Sequence, residues 1–300
     1  MQEMLELQAT GQVLARHSRS PTRQVFDRLL RHRLAVFSAV LILLWIAVAV
    51  LAPVVAPYDP YRIDARAMRK GPSDEHLLGT DMVGRDVLSR LIFGSRTSLI
   101  VGIGAVSVYV VIGTFLGALA GYFGGKVDAI ISRLIDIILC FPLVVVVLTM
   151  VSIVGPSLRN VIIVIALLRW PQVARYVRAE FLSYRERDFV TAALSVGVRP
   201  MSVVFKHILP NALSPVVVVA TFGVANTIIL EASLSFLGWG VPPPMASWGN
   251  MLMDAQKTSI LQTMPWLWVP AGLAIAIAVL AVNFVGDGLR DALDPHMQVG

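Results

Sequence analysis

The sequence predicts an all-α, polytopic membrane protein, and three observations carry that class. Of 300 residues, 56% are hydrophobic and only 15% charged, with mean hydropathy +0.74; a soluble domain carries roughly 25% charged residues. The apolar residues gather into runs long enough to cross a bilayer as helices. The Lys and Arg behind the net charge of +6 sit at the edges of those runs, which points to headgroups and the positive side of a membrane and away from nucleic acid. Cys140, the one cysteine, lies inside an apolar run; it can form no intrachain disulfide and reads as a small packed apolar residue.

Residues 1–33 form a polar arm with six Arg against Glu3, Glu6 and Asp27. No short apolar core with a cleavage site opens the chain, so the first apolar run, 34–56, reads as a retained signal anchor and first span. Around Phe26 to Leu30 an amphipathic helix is expected on the headgroups. After an extracytoplasmic segment, 57–97, a core over 98–286 holds the remaining spans. The second, about 98–122, carries Gly113, Gly117 and Gly121 at i, i+4, i+8, one face on which helices approach closely. The third, about 129–154, has Pro142 as a kink. The fourth, 161–170, is short and must borrow residues. The fifth is about 213–234 and the sixth about 266–285, with 287–300 as a tail.

Six spans place both termini on one side. Lys and Arg in the flanks number fifteen on the N-terminal side against nine opposite, which favours cytoplasmic termini. The segment 171–211 then lies in the cytoplasm.

Within it, Phe189, Ala192, Ala193 and Val196 give an apolar face at helical spacing, and Gly197 breaks the helix or admits a second backbone. Pro200 suits the first turn of another helix, whose Val203, Val204 and Ile208 repeat the pattern until Pro210 ends it. Two short helices at an angle, rimmed by Arg187, Arg199 and Lys206, make a knob for a groove on a soluble partner; an ordinary interfacial loop has the same pattern.

Four segments, in order, resemble one family. Thr191-Ala192-Ala193, Gly197 and His207-Ile208-Leu209-Pro210 are similar to the EAA loop of permease subunits of ABC importers. Thr191 and His207 stand where many members have Glu and Ile, and both are similar to the dipeptide/oligopeptide/nickel branch. His76 to Asp81 with Gly84-Arg85-Asp86, Glu231 to Gly238, and Gly286 to Pro295 resemble the same branch. The resemblance implies the type I ABC importer permease fold and a bacterial inner-membrane location. It further implies a second homologous permease, two ATPase subunits that bind ATP and Mg, and an extracytoplasmic substrate-binding protein. In this scheme the loop enters a cleft on an ATPase, with Ala192, Ala193 and Gly197 as close-packing positions and Arg199 and Lys206 as rim contacts.

No nucleotide or metal is expected on this chain itself. Gly124-Gly125-Lys126 is followed by Val127 and preceded by Ala120 where a phosphate loop needs Gly, so it reads as a turn. The five histidines show no metal spacing, and no nucleophile–base motif marks an enzyme. A secondary transporter would show internal repeats with ion-binding residues in broken spans. Among ionisable residues at membrane depth, Arg133 and Asp136 are three apart and expected to pair, with a direct role in the pathway as the alternative. Glu231 is placed near the outer end of span five, facing the pathway or capping an outer helix. Outside, Arg85 to Ile92 is expected as a surface helix with Val87, Leu88, Leu91 and Ile92 toward lipid. In the second outer segment Trp239 and Trp248 read as interface anchors, and with Asp254 they are also the candidate docking residues for the binding protein.

Overall fold

A computed structural model describes residues 21–293; residues 1–20 and 294–300, with the outer part of the arm and Asp294-Pro295, lie outside the described residues. The described chain is helical. α1 (Pro21–Arg31) leads through a His32 cap, whose Nδ1 accepts from the Ala35 N–H, into α2 (Arg33–Val50). The chain turns at Leu51 into the single turn α3 (Ala52–Val55), so the first apolar run bends before residue 56. α1 packs on the far end of the last helix, where a Cβ on Gly288 would strike Ala35 of α2 and crowd Leu29 of α1.

α4 (Val87–Phe123) is longer than the span expected at 98–122 and absorbs the surface helix expected at 85–92. Val87 and Arg90 are buried, so that segment does not turn its Val87 side to lipid. The helix starts early because the Asp86 carboxylate accepts from the Ser89 N–H and hydroxyl, both at 2.7 Å, satisfying a donor that would otherwise be orphaned. His76 Nδ1 lies 2.9 Å from the same carboxylate, and Asp81 binds the Arg85 Nε at 2.6 Å with Arg90 at 3.7 Å. Gly84 has φ +87, and a side chain there would strike the Asp64 carbonyl. The His76 to Asp86 motif is thus the fastening of the 57–86 segment onto the start of α4.

Gly124 and Gly125 turn the chain with φ +63 and +53 into α5 (Gly125–Leu139) and α6 (Leu143–Val154). These meet at 86°, a break and not the kink expected at Pro142. Cys140 is exposed at that break, contrary to a packed position. α7 (Leu158–Arg185) continues unbroken through Pro171, resolving the short fourth span. α8 (Asp188–Ser195) and α9 (Pro200–Val203) precede α10 (Leu209–Phe236), α11 (Trp248–Met253), α12 (Thr258–Thr263) and α13 (Pro265–Leu293). α13 carries helix through 287–293, where a tail was expected. Among the described residues five helices are long and apolar enough to cross a membrane, and the bent α5–α6 pair makes a sixth if both arms cross together.

The tightest seam joins α4 and α7. Cβ atoms on Gly113, Gly117 and Gly121 would lie 2.6 Å from the Val173 side chain, 2.5 Å from the Ala174 carbonyl and 2.6 Å from Phe181. Bare Cα atoms let the two backbones touch, as the four-residue spacing predicts. Arg178 binds both Asp128 oxygens, its Nη2 at 2.6 Å from Oδ2. Arg175 binds Asp136 at 2.9 Å. Asp136 therefore pairs across helices, and the expected pair with Arg133 is not formed: Arg133 is exposed, while α7 supplies a guanidinium facing α5.

Candidate functional site

The site lies where α7 hands over to α10. Arg187 folds its guanidinium over the Tyr184 ring at 4.8 Å and starts α8. Val190 is buried in the bundle core and Ala193 packs against it, while Phe189 and Val196 face outward. The inward face therefore centres on Val190 and Ala193, and Ala192 is exposed. α8 ends in a Schellman turn. The Gly197 N–H donates to the Leu194 carbonyl at 3.0 Å and the Val198 N–H to the Ala193 carbonyl at 3.1 Å. Gly197 has φ +82, and a Cβ there would meet nothing within 4 Å. Within this chain it is a turn glycine, and the close-packing role expected for it finds no neighbour here.

Arg199 caps α9, which Pro200 opens. Val203, Val204 and Ile208 are buried as their spacing predicts. Pro210 does not end the helix. The chain continues from α9 through a π turn, Val204–Ile208, into α10 with Pro210 in its first turn. A wider turn lets the ring and its missing N–H be accommodated. Arg199 and Lys206 are exposed and His207 is half-buried.

The outcome is a helix–turn–helix with an apolar apex. Val196 at the turn is 81% exposed, next to exposed Leu194, and on the second arm Met201 and Phe205 (60%) are exposed as well. No motif marks Met201 or Phe205, although both fall out of step with the buried Val203, Val204, Ile208 face. The apex is rooted twice. Thr191, exposed in α8, sits on the arm attached to α7, which the glycine seam and the Arg178–Asp128 pair fix to α4 and α5; the other arm is one continuous helix with α10. An apolar groove of about 400 Å³ lies between the α9 arm and α4, lined by Phe115, Tyr122, Phe205 and Leu213.

At the opposite end, Glu231 is 0% exposed. The Trp248 N–H donates to Ser98 Oγ, which donates to Glu231 Oε2, both at 3.2 Å. The Val241 N–H donates to Ser235 Oγ at 3.1 Å, and Ser235 donates to Oε1 at 2.7 Å. Glu231 thus ends two relays that tie α4 and the 238–250 segment to α10. Trp248 is 1% exposed, 5.5 Å from Trp45 between ring centres, and donates Nε1–H to the Leu91 carbonyl. It is an internal anchor, which withdraws it from the docking surface; Trp239 remains exposed. Asp254 lines a small cleft with Asp81, Arg85 and Arg90. Burial, and then repulsion from Asp81, push its carboxyl above the usual range.

Membrane-length helices with an exposed, doubly rooted helix–turn–helix between two of them define a multi-pass membrane protein that presents a helical knob outside its spans. Residues 113–299 match the family described as binding-protein-dependent transport system inner membrane component, and residues 20–72 match the N-terminal transmembrane domain of oligopeptide transport permease C. A putative peptide permease protein of Brucella suis biovar 1 is 44% identical over 282 residues, 94% of this chain and 93% of that one. A dipeptide transport system permease protein of Alkalihalophilus pseudofirmus is 41% identical, covering 93% of this chain and 91% of its own. A glutathione transport system permease protein of Pectobacterium atrosepticum is also 41% identical, covering 93% of each. A chain of the MetNI methionine ABC transporter, solved in inward-facing conformations, shares the fold with TM-score 0.57 at 22% identity, over 68% of this chain and 96% of its own. The chain belongs to the binding-protein-dependent transport system inner membrane component family. It is a non-catalytic, multi-pass inner-membrane permease of an ABC importer, a kind of system that works with ATPase and substrate-binding partners.

Proposed function

We infer that this chain forms half of the translocation pathway of a peptide importer. It pairs with a second homologous permease, takes its energy from two ATPase subunits that hold ATP and Mg²⁺, and receives cargo from an extracytoplasmic binding protein. The names of the relatives at 41–44% identity support the peptide class. Both termini and the 188–208 loop lie in the cytoplasm, on the side with more Lys and Arg in the flanks.

One observation carries the coupling role: large apolar side chains, Val196 at the turn and Phe205 on the second arm, stand exposed on a loop rooted in two spanning helices. Large apolar side chains rimmed by Arg199 and Lys206 fit a groove on a soluble partner. Closure of the ATPases on ATP pushes that apex, and the movement passes through the turn at 186–187 into α7 and along the continuous helix into α10. On the opposite side, Trp239 and Asp254 belong to the surface that meets the binding protein.

The test is co-expression with the ATPases, purification, and ATP-dependent uptake in proteoliposomes with the binding protein. Val196→Asp combined with Phe205→Asp is expected to lose the ATPases and uptake while the chain still inserts. Wild-type levels of both in the double variant would remove the coupling assignment.

A further inference from the structure

Midway along the bundle, three helices put polar groups into an apolar layer. Arg169 is the twelfth residue of α7, about 17 Å from its start at 1.5 Å per residue, which is half of a hydrocarbon core about 30 Å thick. The neighbours agree on the level. Tyr109 lies near the middle of the apolar part of α4, and its ring packs onto Gly223 at the middle of α10. Gly113, one turn along α4, touches the Trp170 carbonyl next to Arg169. Tyr109 and Thr227 are both buried. Thr227 Oγ1 stands beside the Tyr109 hydroxyl without a formed hydrogen bond.

Arg169 is the unusual member. Among the described residues it has no hydrogen-bond partner and no acid in ion-pair range; its Nε is enclosed without an acceptor, and the titratable group facing it is the neutral Tyr109 hydroxyl. The residue is half-buried, so the Nη end of the fork reaches the surface of this chain at mid-membrane. Two turns further along α7, Arg175 and Arg178 each hold an aspartate. Glu231, the buried carboxyl of α10, is taken by two serines at the other end. A guanidinium is always charged, and facing it to lipid is costly. Its open face therefore belongs to a wet path or to a partner.

We propose that Arg169 is a cargo-binding residue of the pathway: its guanidinium fork receives the C-terminal carboxylate of a peptide at mid-membrane, with Tyr109 and Thr227 as the polar wall behind it. This rests on the reading of the chain as a peptide permease. A planar fork with free N–H donors matches a carboxylate bidentately. One charge on an open surface, without a closed pocket, holds the cargo loosely enough to let it go, as conduction requires.

The test uses the whole complex in proteoliposomes, with the second permease, the ATPases and the binding protein, and radiolabelled dialanine as probe. Arg169→Gln is expected to lower uptake about tenfold, equivalent to about 1.4 kcal/mol, with complex assembly at the wild-type level. Arg169→Lys, which keeps the charge and loses the fork, recovers part of it. Dialanine bound to the nucleotide-free complex, measured without the binding protein, should be displaced by excess dialanine but not by its C-terminal amide, and should be absent in Arg169→Gln. Unchanged uptake in Arg169→Gln, or equal displacement by acid and amide, overturns the proposal. Loss of assembly in Arg169→Gln overturns it too, by assigning the guanidinium to a contact with the second permease. A wild-type complex that takes up neither dialanine nor longer alanine peptides removes the peptide reading and this inference together; peptide uptake equal in wild type and Arg169→Gln removes this inference alone.

Discussion

Replacing Gly197 by alanine separates backbone from packing at the coupling loop. A Cβ there meets nothing within 4 Å of this chain, so the cost is conformational: φ is +82, and an L side chain in that region costs roughly 1–2 kcal/mol. The turn answers by relaxing, which breaks the 3.0 Å bond to Leu194 and the 3.1 Å bond to Ala193 and swings Val196 away from its position. At about 1.4 kcal/mol the native turn loses tenfold against its alternatives. Gly197→Asn, which tolerates the left-handed region, loses less. ATP-dependent uptake and ATPase co-purification measured on wild type, Gly197→Asn and Gly197→Ala should fall in that order, alanine lowest, with the thermal stability of the bundle unchanged. Full uptake in Gly197→Ala would refute the claim that this turn aims the apex.

Three further outcomes follow from packing and charge. Gly117→Val places carbon 2.5 Å from the Ala174 carbonyl and should destabilise the detergent-solubilised chain by about 1–3 kcal/mol; an unshifted melting curve would contradict the backbone contact. Glu231→Ala leaves the Ser98 and Ser235 hydroxyls without their buried acceptor, at about 1–3 kcal/mol each. Glu231→Gln keeps one acceptor oxygen and should lose less; equal melting of the two variants would argue against the relays, and unchanged uptake in Gln would show that the charge is dispensable. At Asp254 the raised carboxyl means that the folded state favours the proton more than the unfolded state does. Its stability contribution is present below the unfolded value, about 3.9, and is lost as pH rises through the raised folded one. Asp254→Asn should therefore raise the melting temperature at neutral pH, and the gain should vanish as pH falls toward about 4. A gain independent of pH would count against this account.

The spans were legible because lipid demands long apolar helices, and the α4–α7 seam because glycines four apart admit a neighbour. What escaped the sequence depended on tertiary partners. Asp136 has Arg133 three residues away, yet it takes Arg175 from another helix. Trp248 has the composition of an interface anchor and is instead enclosed by Trp45 and Leu91. The fourth span looks short because Arg169 and Pro171 read as the edge of an apolar run; α7 carries both inside it. That misplacement also hides a charge at mid-membrane. In the loop, Gly197 and Pro200 mark the turn correctly, while continuity through Pro210 needs a π turn that no residue pattern announces.

Under the proposed coupling the Val196 apex touches an ATPase. Cys140→Ser removes the one native thiol, which is exposed, and Val196→Cys in that background carries a thiol-linked benzophenone at a site 81% open. Ile153→Cys, 79% open near the C-terminal end of α6, serves as the control. Photolysis of the transport-active complex should join the label at 196 to an ATPase subunit and leave the label at 153 unjoined to it. Equal capture from both positions, or none from 196, would contradict the account.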